Sequence, residues 1–264
     1  MRTKVCLVST LSLDVRVAMW RLVQESYDGA TESRFVEDLF DKSHVILLRS
    51  EDGDLHGFST LQVTDHECGG RKYRAIFSGD TVLREKFWGN GHLARAFGAY
   101  ILKVRLKTLL TSPRTIVYWF LLSKGFKTYL IMANNFSQYF PRPDRPTPSE
   151  VDQIRLHYYS QKYLQTKCHF DEASGILIPE PSRRMRLKHG VAGPPAGDKQ
   201  NMKTDYFVHA NPNWSQGEEL ACIARVSVWV PLVYSFKFIF KSTRWQISRA
   251  RKQNDPVFRP LETS

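Results

Sequence analysis

Long apolar runs are missing from this chain. Its most apolar late stretch, Val226 to Phe240, is broken by Pro231 and Lys237 and falls short of the ~20 residues that a bilayer-spanning helix needs. Cysteine is scarce as well. Cys6, Cys68, Cys168 and Cys222 lie far apart, with no Cys-x-x-Cys pair, which argues against a zinc ribbon or a disulfide framework and makes a reducing cytoplasm the default. No metal-ligand cluster, no internal repeat and no Gly-Lys-Ser/Thr phosphate loop is visible. The opening "MRTKVCLVSTLSLDVRV" resembles a signal peptide for a few residues only. Asp14 and Arg16 interrupt it, and it reads as a first strand leading into a helix.

What is present can build a core. Of 264 residues, 42% are hydrophobic, with six Trp, eleven Tyr and sixteen Phe, a content that excludes global disorder. The formal net charge is +12, which favours anionic partners such as phosphorylated cofactors, nucleic acid or acidic lipid.

"KVCLVSTL" is rich in β-branched and apolar residues and suits an opening strand. From Ser12 to Phe40 apolar residues recur at three- and four-residue spacing, and "SYDGATES" divides that run into two helices. "HVILLRS" and "LHGFSTLQV" are strands joined by an Asp-Gly hairpin signal, and "ECGGRK" turns into a further strand, "YRAIFSGDTVL". Leu93 to Leu110 is a long helix. "TIVYWFLL" is a continuous apolar run, as expected of a central strand buried on both faces, and "KGFKTYLIMANNFSQYF" follows as a helix. The expected class is α/β, a mixed sheet flanked by helices.

"PRPDRPTPS", from Pro141 to Ser149, is the sharpest break in composition and reads as a stiff connector. It divides a core at 1–140 from a C-terminal extension at 150–264, expected to complete the sheet and shape an acceptor site. In that extension "EVDQIRLHYYSQKYL" reads as a helix, and "GILIP", "DYFVHANP" and "ELACIARVSVWV" as strands. Residues 226–252 have two readings. One is an interfacial segment resting peripherally on acidic lipid. The other is a strand and helix on the core, followed by a solvated basic tail that starts near Lys241.

The segment that carries chemistry is "REKFWGNG", between a strand and a helix. Gly89 and Gly91 lack a Cβ, so their amides can approach a ligand closely. They precede a helix whose first N–H groups lack internal partners and whose end carries partial positive charge, an arrangement that binds phosphate. The bland alternative is a tight turn with Asn90 as the helix cap. Strand "IFSGDTVL", loop "REKFWGNG" and helix "HLARAFGAYIL" together resemble the acyl-CoA-binding motif of the GNAT superfamily of N-acyltransferases, Arg/Gln-x-x-Gly-x-Gly/Ala. The resemblance covers residues 1–140. It implies that Gly89, Asn90, Gly91 and His92 hold the pyrophosphate of acetyl-CoA or a longer acyl-CoA, with Arg84 and Lys86 adding charge at the rim. It also implies that the backbone of Val82 and Leu83 binds the pantetheine arm. Lys86 stands where the motif has Arg or Gln, keeping a cation without the planar fork.

Direct transfer to an amine acceptor needs a base, and Asp80 is the first candidate. Its alternative role is to satisfy backbone amides at a bulge after Gly79. Tyr129 is the candidate acid for the departing thiolate, or else a packed aromatic. No metal is called for, and neither Ser123 nor Cys222 has the partners that covalent catalysis requires. The competing class is a non-catalytic basic protein that binds nucleic acid or an acidic membrane through Arg183, Arg184, Arg186, Lys188 and the tail. No recognised nucleic-acid module supports it. The acyltransferase reading requires a gap between neighbouring strands and a mouth that Trp88 does not plug.

Overall fold

The computed structural model describes residues 1–88, 90–188 and 202–227. Its strands are β1 (Arg2–Leu7), β2 (Tyr27–Asp28), β3 (His44–Arg49), β4 (Leu55–Cys68), β5 (Arg71–Leu83), β6 (Ile116–Ser123), β7 (Tyr139–Phe140), β8 (Cys168–Asp171), β9 (Ile176–Pro179), β10 (Arg186–Leu187) and β11 (Glu219–Arg225). The helices are α1 (Leu13–Ser26), α2 (Glu32–Phe40), α3 (His92–Thr111), α4 (Phe126–Asn135), α5 (Ser149–Tyr163) and α6 (Met202–Ala210).

The main sheet is mixed and runs β1-β3-β4-β5-β6-β11-β9-β8, with β7 also on β11. Its β5–β6 pair is parallel, whereas the other ladders are antiparallel. The apolar run of β6 lies at the centre, as its composition requires. Val117, Trp119 and Leu121 enter the core beneath α3, α4 and α6, while Tyr118 and Phe120 enter the one beneath α5. Alternation of this kind, with both faces covered, is why the run is apolar throughout. The helices α1 and α2 cover the edge toward β1, packing Met19, Leu22, Phe35 and Leu39 on Val45, Leu47, Phe58 and Val82.

One irregularity positions everything else. Between β4 and β5 the register passes from Leu61↔Ser78 to Ser59↔Thr81, so Gly79 and Asp80 together oppose Thr60. A bulge of this kind bends the strand that carries it. The β5–β6 ladder ends at Ser78↔Leu121, although β5 continues to Leu83 and β6 to Ser123. At the fork the Trp119 indole donates to the Ser78 hydroxyl at 2.8 Å.

Two expectations from the sequence change. "DYFVHANP" contributes to helix α6 rather than a strand, with Phe207 fully buried against Tyr129. The helix read into "KGFKTYLIMANNFSQYF" stops at Asn135, and Tyr139–Phe140 pairs with β11. Gly89, residues 189–201 and residues 228–264, with most of the apolar stretch and all of the basic tail, lie outside the described residues. Among the described residues no helix is long and apolar enough to cross a membrane.

Phe120 is fully buried and stacks on Tyr158 with ring centroids 3.9 Å apart. Phe120→Ala is expected to destabilise the fold by about 3–5 kcal/mol, measured as a lower denaturant midpoint at unchanged slope. A loss below about 1 kcal/mol would contradict this packing.

Candidate active site

The fork opens into a cleft of about 950 Å³ that passes through the sheet. On one face it is lined by the start of α3 (Leu93, Ala94, Phe97) and by Thr128, Ile131 and Asn135 of α4. On the other face α2, the end of α5 and β8 to β11 form its walls, and the bulged end of β5 runs through the middle.

The donor-side end has the geometry of an anion site. Gly91 sits at φ +72°, a left-handed backbone that glycine adopts without strain, and it starts the 20-residue helix α3. Asn90 accepts a hydrogen bond from the His92 amide at 3.0 Å, one residue ahead of Gly91, which caps the helix. Arg95 donates its amide to Gly91. Between those two, the amides of Leu93 and Ala94 have no acceptor among the described residues and lie at the cleft wall.

The anticipated donor-site residues divide into two groups. Val82, Leu83, Asn90 and Gly91 line the cleft, whereas Arg84, Lys86 and His92 do not. Arg84 is held by both oxygens of Glu25, at 2.9 and 2.8 Å. Lys86 is exposed and lies over Phe87. His92 pairs with Arg95 at 3.1 Å, and burial followed by the Arg95 charge holds its imidazole below the usual range. Trp88 does stand at the mouth. Its indole donates to the Leu83 carbonyl at 2.8 Å, and the Lys127 ammonium of α4 lies 4.0 Å from its ring. The indole thus reaches from the end of β5 to the far wall, while the gap beneath it persists.

At the bulge, Asp80 faces the opposite half of the cleft. Gly79 beside it has no side chain because none fits: a Cβ there would meet Thr60 Oγ1 at 2.6 Å and Lys42 Cε at 2.8 Å. Asp80 forms no ion pair or hydrogen bond through its side chain among the described residues. Its charge is felt by neighbours on that face. Burial, and then the Asp80 charge, raise the Asp38 carboxyl above the usual carboxylate range, and the same two causes raise the Tyr27 phenol.

Tyr129 lies elsewhere. Its side chain is fully buried, its hydroxyl donates to the Pro141 carbonyl at 3.0 Å, and it does not line the cleft. Burial raises its phenol above the ordinary range. Tyr158 and Tyr159 are likewise core residues, leaving Tyr163 as the tyrosine of α5 at the cleft wall. His56 is buried on β4. Sequence reasoning missed Asp38, Lys42, Lys162 and Cys168, which all line the acceptor half. Burial raises the Cys168 thiol, a shift that keeps it protonated and poorly nucleophilic. Among the described residues no group of three or more His, Cys, Asp or Glu is placed to hold a metal. The charges of the basic segment are partly spent internally: Arg183 pairs with Glu37, and Lys188 donates to the Gln24 carbonyl.

No protein-family model matches the sequence, and neither does any curated protein. Solved structures do. A probable N-acyltransferase from Enterococcus faecalis is similar over 53% of this chain and 33% of its own, at 14% identity and TM-score 0.37; this chain spans about a third of that protein. A Trypanosoma brucei acetyltransferase is similar over 55% of this chain and 98% of its own, at 15% identity and TM-score 0.34. A mutant AtaT toxin, bound to the C-terminus of the antitoxin AtaR and acetyl-CoA, is similar over 50% of this chain and 81% of its own, at 11% identity and TM-score 0.34.

Removing the Asp80 charge should relax its neighbour. Asp80→Asn is expected to lower the Asp38 pKa toward the ordinary carboxylate range, read by carboxyl-carbon NMR titration. An unmoved Asp38 titration would show that the two carboxyl groups do not interact.

Proposed function

We propose that this chain is an acyl-CoA-dependent N-acyltransferase of the GNAT type, moving an acyl group directly from the thioester to an amine. The observation that carries the reading is the cleft at the forked sheet, with free helix amides at one end and an unpaired carboxylate at the other. The Leu93 and Ala94 amides, reinforced by the dipole of α3, suit a pyrophosphate. The exposed edge of β5 from Gly79 to Leu83, which β6 leaves unpaired, suits an extended arm carrying amide groups. The acyl-CoA would run along this edge and bring its thioester carbonyl to the bulge.

The acceptor enters from the α2 and α5 side, and its ammonium group gives up one proton to solvent before it reacts. Its nitrogen attacks the thioester carbon, and Asp80 takes a proton from that nitrogen as the C–N bond forms. The C–S bond then breaks, its electron pair leaves with sulfur, and the thiolate becomes CoA thiol on taking up a proton. Asp80 has no ion-pair or hydrogen-bond partner among the described residues, so its oxygens are open to accept that proton. Tyr163 at the cleft wall is better placed than Tyr129 to return a proton. Its phenol is held neutral by burial, with the Glu219 charge adding to the effect.

Heat stabilisation by CoA and acyl-CoA tests the donor site. Binding at a hundredfold over Kd is expected to add about 2.7 kcal/mol of stability. Gly91→Glu, which places a charged side chain on a left-handed backbone at the anion site, is expected to abolish the shift while the protein remains folded; an equal shift in both proteins would remove the site. For chemistry, Asp80→Asn is expected to lower kcat/KM by about 10²–10⁴-fold. Wild-type activity in that variant would exclude Asp80 as the base.

A further inference from the structure

We propose that the acceptor is a zwitterion of the amino-acid type, with its amino group against Asp80 and its single negative charge held jointly by Lys42 and Lys162. The proposal rests on the acyltransferase reading and adds what that reading lacks, the chemical class of the acceptor.

The argument is one of unmatched charges. In the acceptor half of the cleft Glu37 is bound to Arg183 at 2.6 Å, Asp38 to Arg34 at 3.3 Å and Glu219 to Lys124 at 3.1 Å. Asp41 is different, because one of its oxygens, Oδ2, is shared between Lys42 at 2.8 Å and Lys162 at 2.9 Å. Among the described residues one lysine charge therefore has no counter-charge paired with it, and Asp80 has no cation paired with it. The two remain apart for a structural reason. The Lys42 stem lies across Gly79, and its ammonium is tied to the Asp38 carbonyl at 3.0 Å as well as to Asp41. Lys162 is tied to Gln62 Oε1 at 2.9 Å in addition to Asp41. Neither ammonium reaches the neighbouring carboxylate of Asp80.

Hydrogen-bond capacity gives the same answer. An ammonium has three N–H donors, and each lysine directs two of them to the groups just named. Among the described residues one donor is left without an oxygen acceptor on each, and a carboxylate has two oxygens to receive them. Both ammonium groups lie over the Phe77 ring, at 5.6 and 4.7 Å from its centroid, so the two converge on one place on the floor of the cleft. Burial, with the Lys42 charge second, holds Lys162 below the ordinary lysine range, and an anion bound between the two ammonium groups offsets their mutual repulsion. An acceptor without an anionic group would leave that excess charge uncompensated in a half-buried cleft. A phosphate would bring two charges against a surplus of one.

The experiment measures kcat/KM by CoA release, with saturating acyl-CoA, for each proteinogenic amino acid, its decarboxylated amine and an aminoalkyl phosphate. The best amino acid is expected to exceed its own decarboxylated amine by about 10–100-fold, the range of hydrogen bonds to charged groups. Lys162→Met, and separately Lys42→Met, should lower the amino acid through KM far more than the amine, so that the ratio collapses. A purely structural role for these lysines would lower both substrates together and leave the ratio intact, which overturns the proposal, as does an amine or the phosphate outperforming every amino acid. Heat stabilisation of the CoA complex by the same compounds separates the two readings. Stabilisation by amino acids without turnover keeps this inference and sinks the catalytic one, whereas turnover of simple amines alone does the reverse.

Discussion

Two residues of β5 facing one residue of β4 set the terms for the rest of this molecule. A β-sheet closes its backbone hydrogen bonds by pairing neighbours along their whole length, and an interior gap leaves donors and acceptors unmatched. The bulge at Gly79 and Asp80 makes such a gap unavoidable, because a strand that bends toward β4 cannot continue its ladder with β6. The bend requires a residue without a side chain where Thr60 and Lys42 press in, and Gly79 is that residue. The unpaired edge from Gly79 to Leu83, the crevice beneath it and the direction of the Asp80 side chain all follow from one extra residue.

The charges of the cleft are organised by the same geometry. In a partly desolvated space an isolated charge is costly, and the walls accordingly carry their ions in pairs. The pairs are weak individually where they are exposed, so their importance lies in what they exclude from further interaction. Once Glu37, Asp38 and Glu219 are occupied by Arg183, Arg34 and Lys124, the features among the described residues that can still respond to a ligand include the excess cation at Asp41, the Asp80 carboxylate and the Leu93 and Ala94 amides of α3. The positive end of α3 and the Asp80 carboxylate lie on opposite sides of the sheet, which gives the cleft a direction, suited to an anion at one end and a cation at the other.

Much of this was legible from local pattern. The apolar run of β6, the glycine turn that makes β4 and β5 a hairpin and the glycines before α3 each carry their structure in consecutive residues. The cleft walls do not. Lys42 and Lys162 meet on Asp41 across 121 positions of sequence, and no spacing rule connects the end of α2 with the end of α5. Tyr129 shows a subtler failure. Its presence on α4 was foreseen, but its direction depends on which helical face the sheet attracts. Thr128, Ile131 and Asn135 share the face toward the cleft, and Tyr129, Met132 and Ala133 turn into the core. The α6 segment failed for want of length: nine residues with Tyr206, Phe207 and Val208 in succession show no helical period, and the packing of Phe207 on Tyr129 decides it.

Trp88 completes the physical picture. Leu83 ends β5 with a carbonyl that β6 does not accept into its ladder, and a backbone acceptor left unpaired in a cleft is unfavourable. The indole supplies the missing donor, and its ring in turn receives the Lys127 ammonium from α4. The mouth is therefore bridged by two modest interactions, each of which a ligand can replace in kind. An extended arm offers its own N–H to Leu83, and a phosphate offers Lys127 a stronger partner than an aromatic face. The contacts that hold the mouth together thus mark two positions, the Leu83 carbonyl and the Lys127 ammonium, at which a ligand with an N–H donor and an anionic group would find partners.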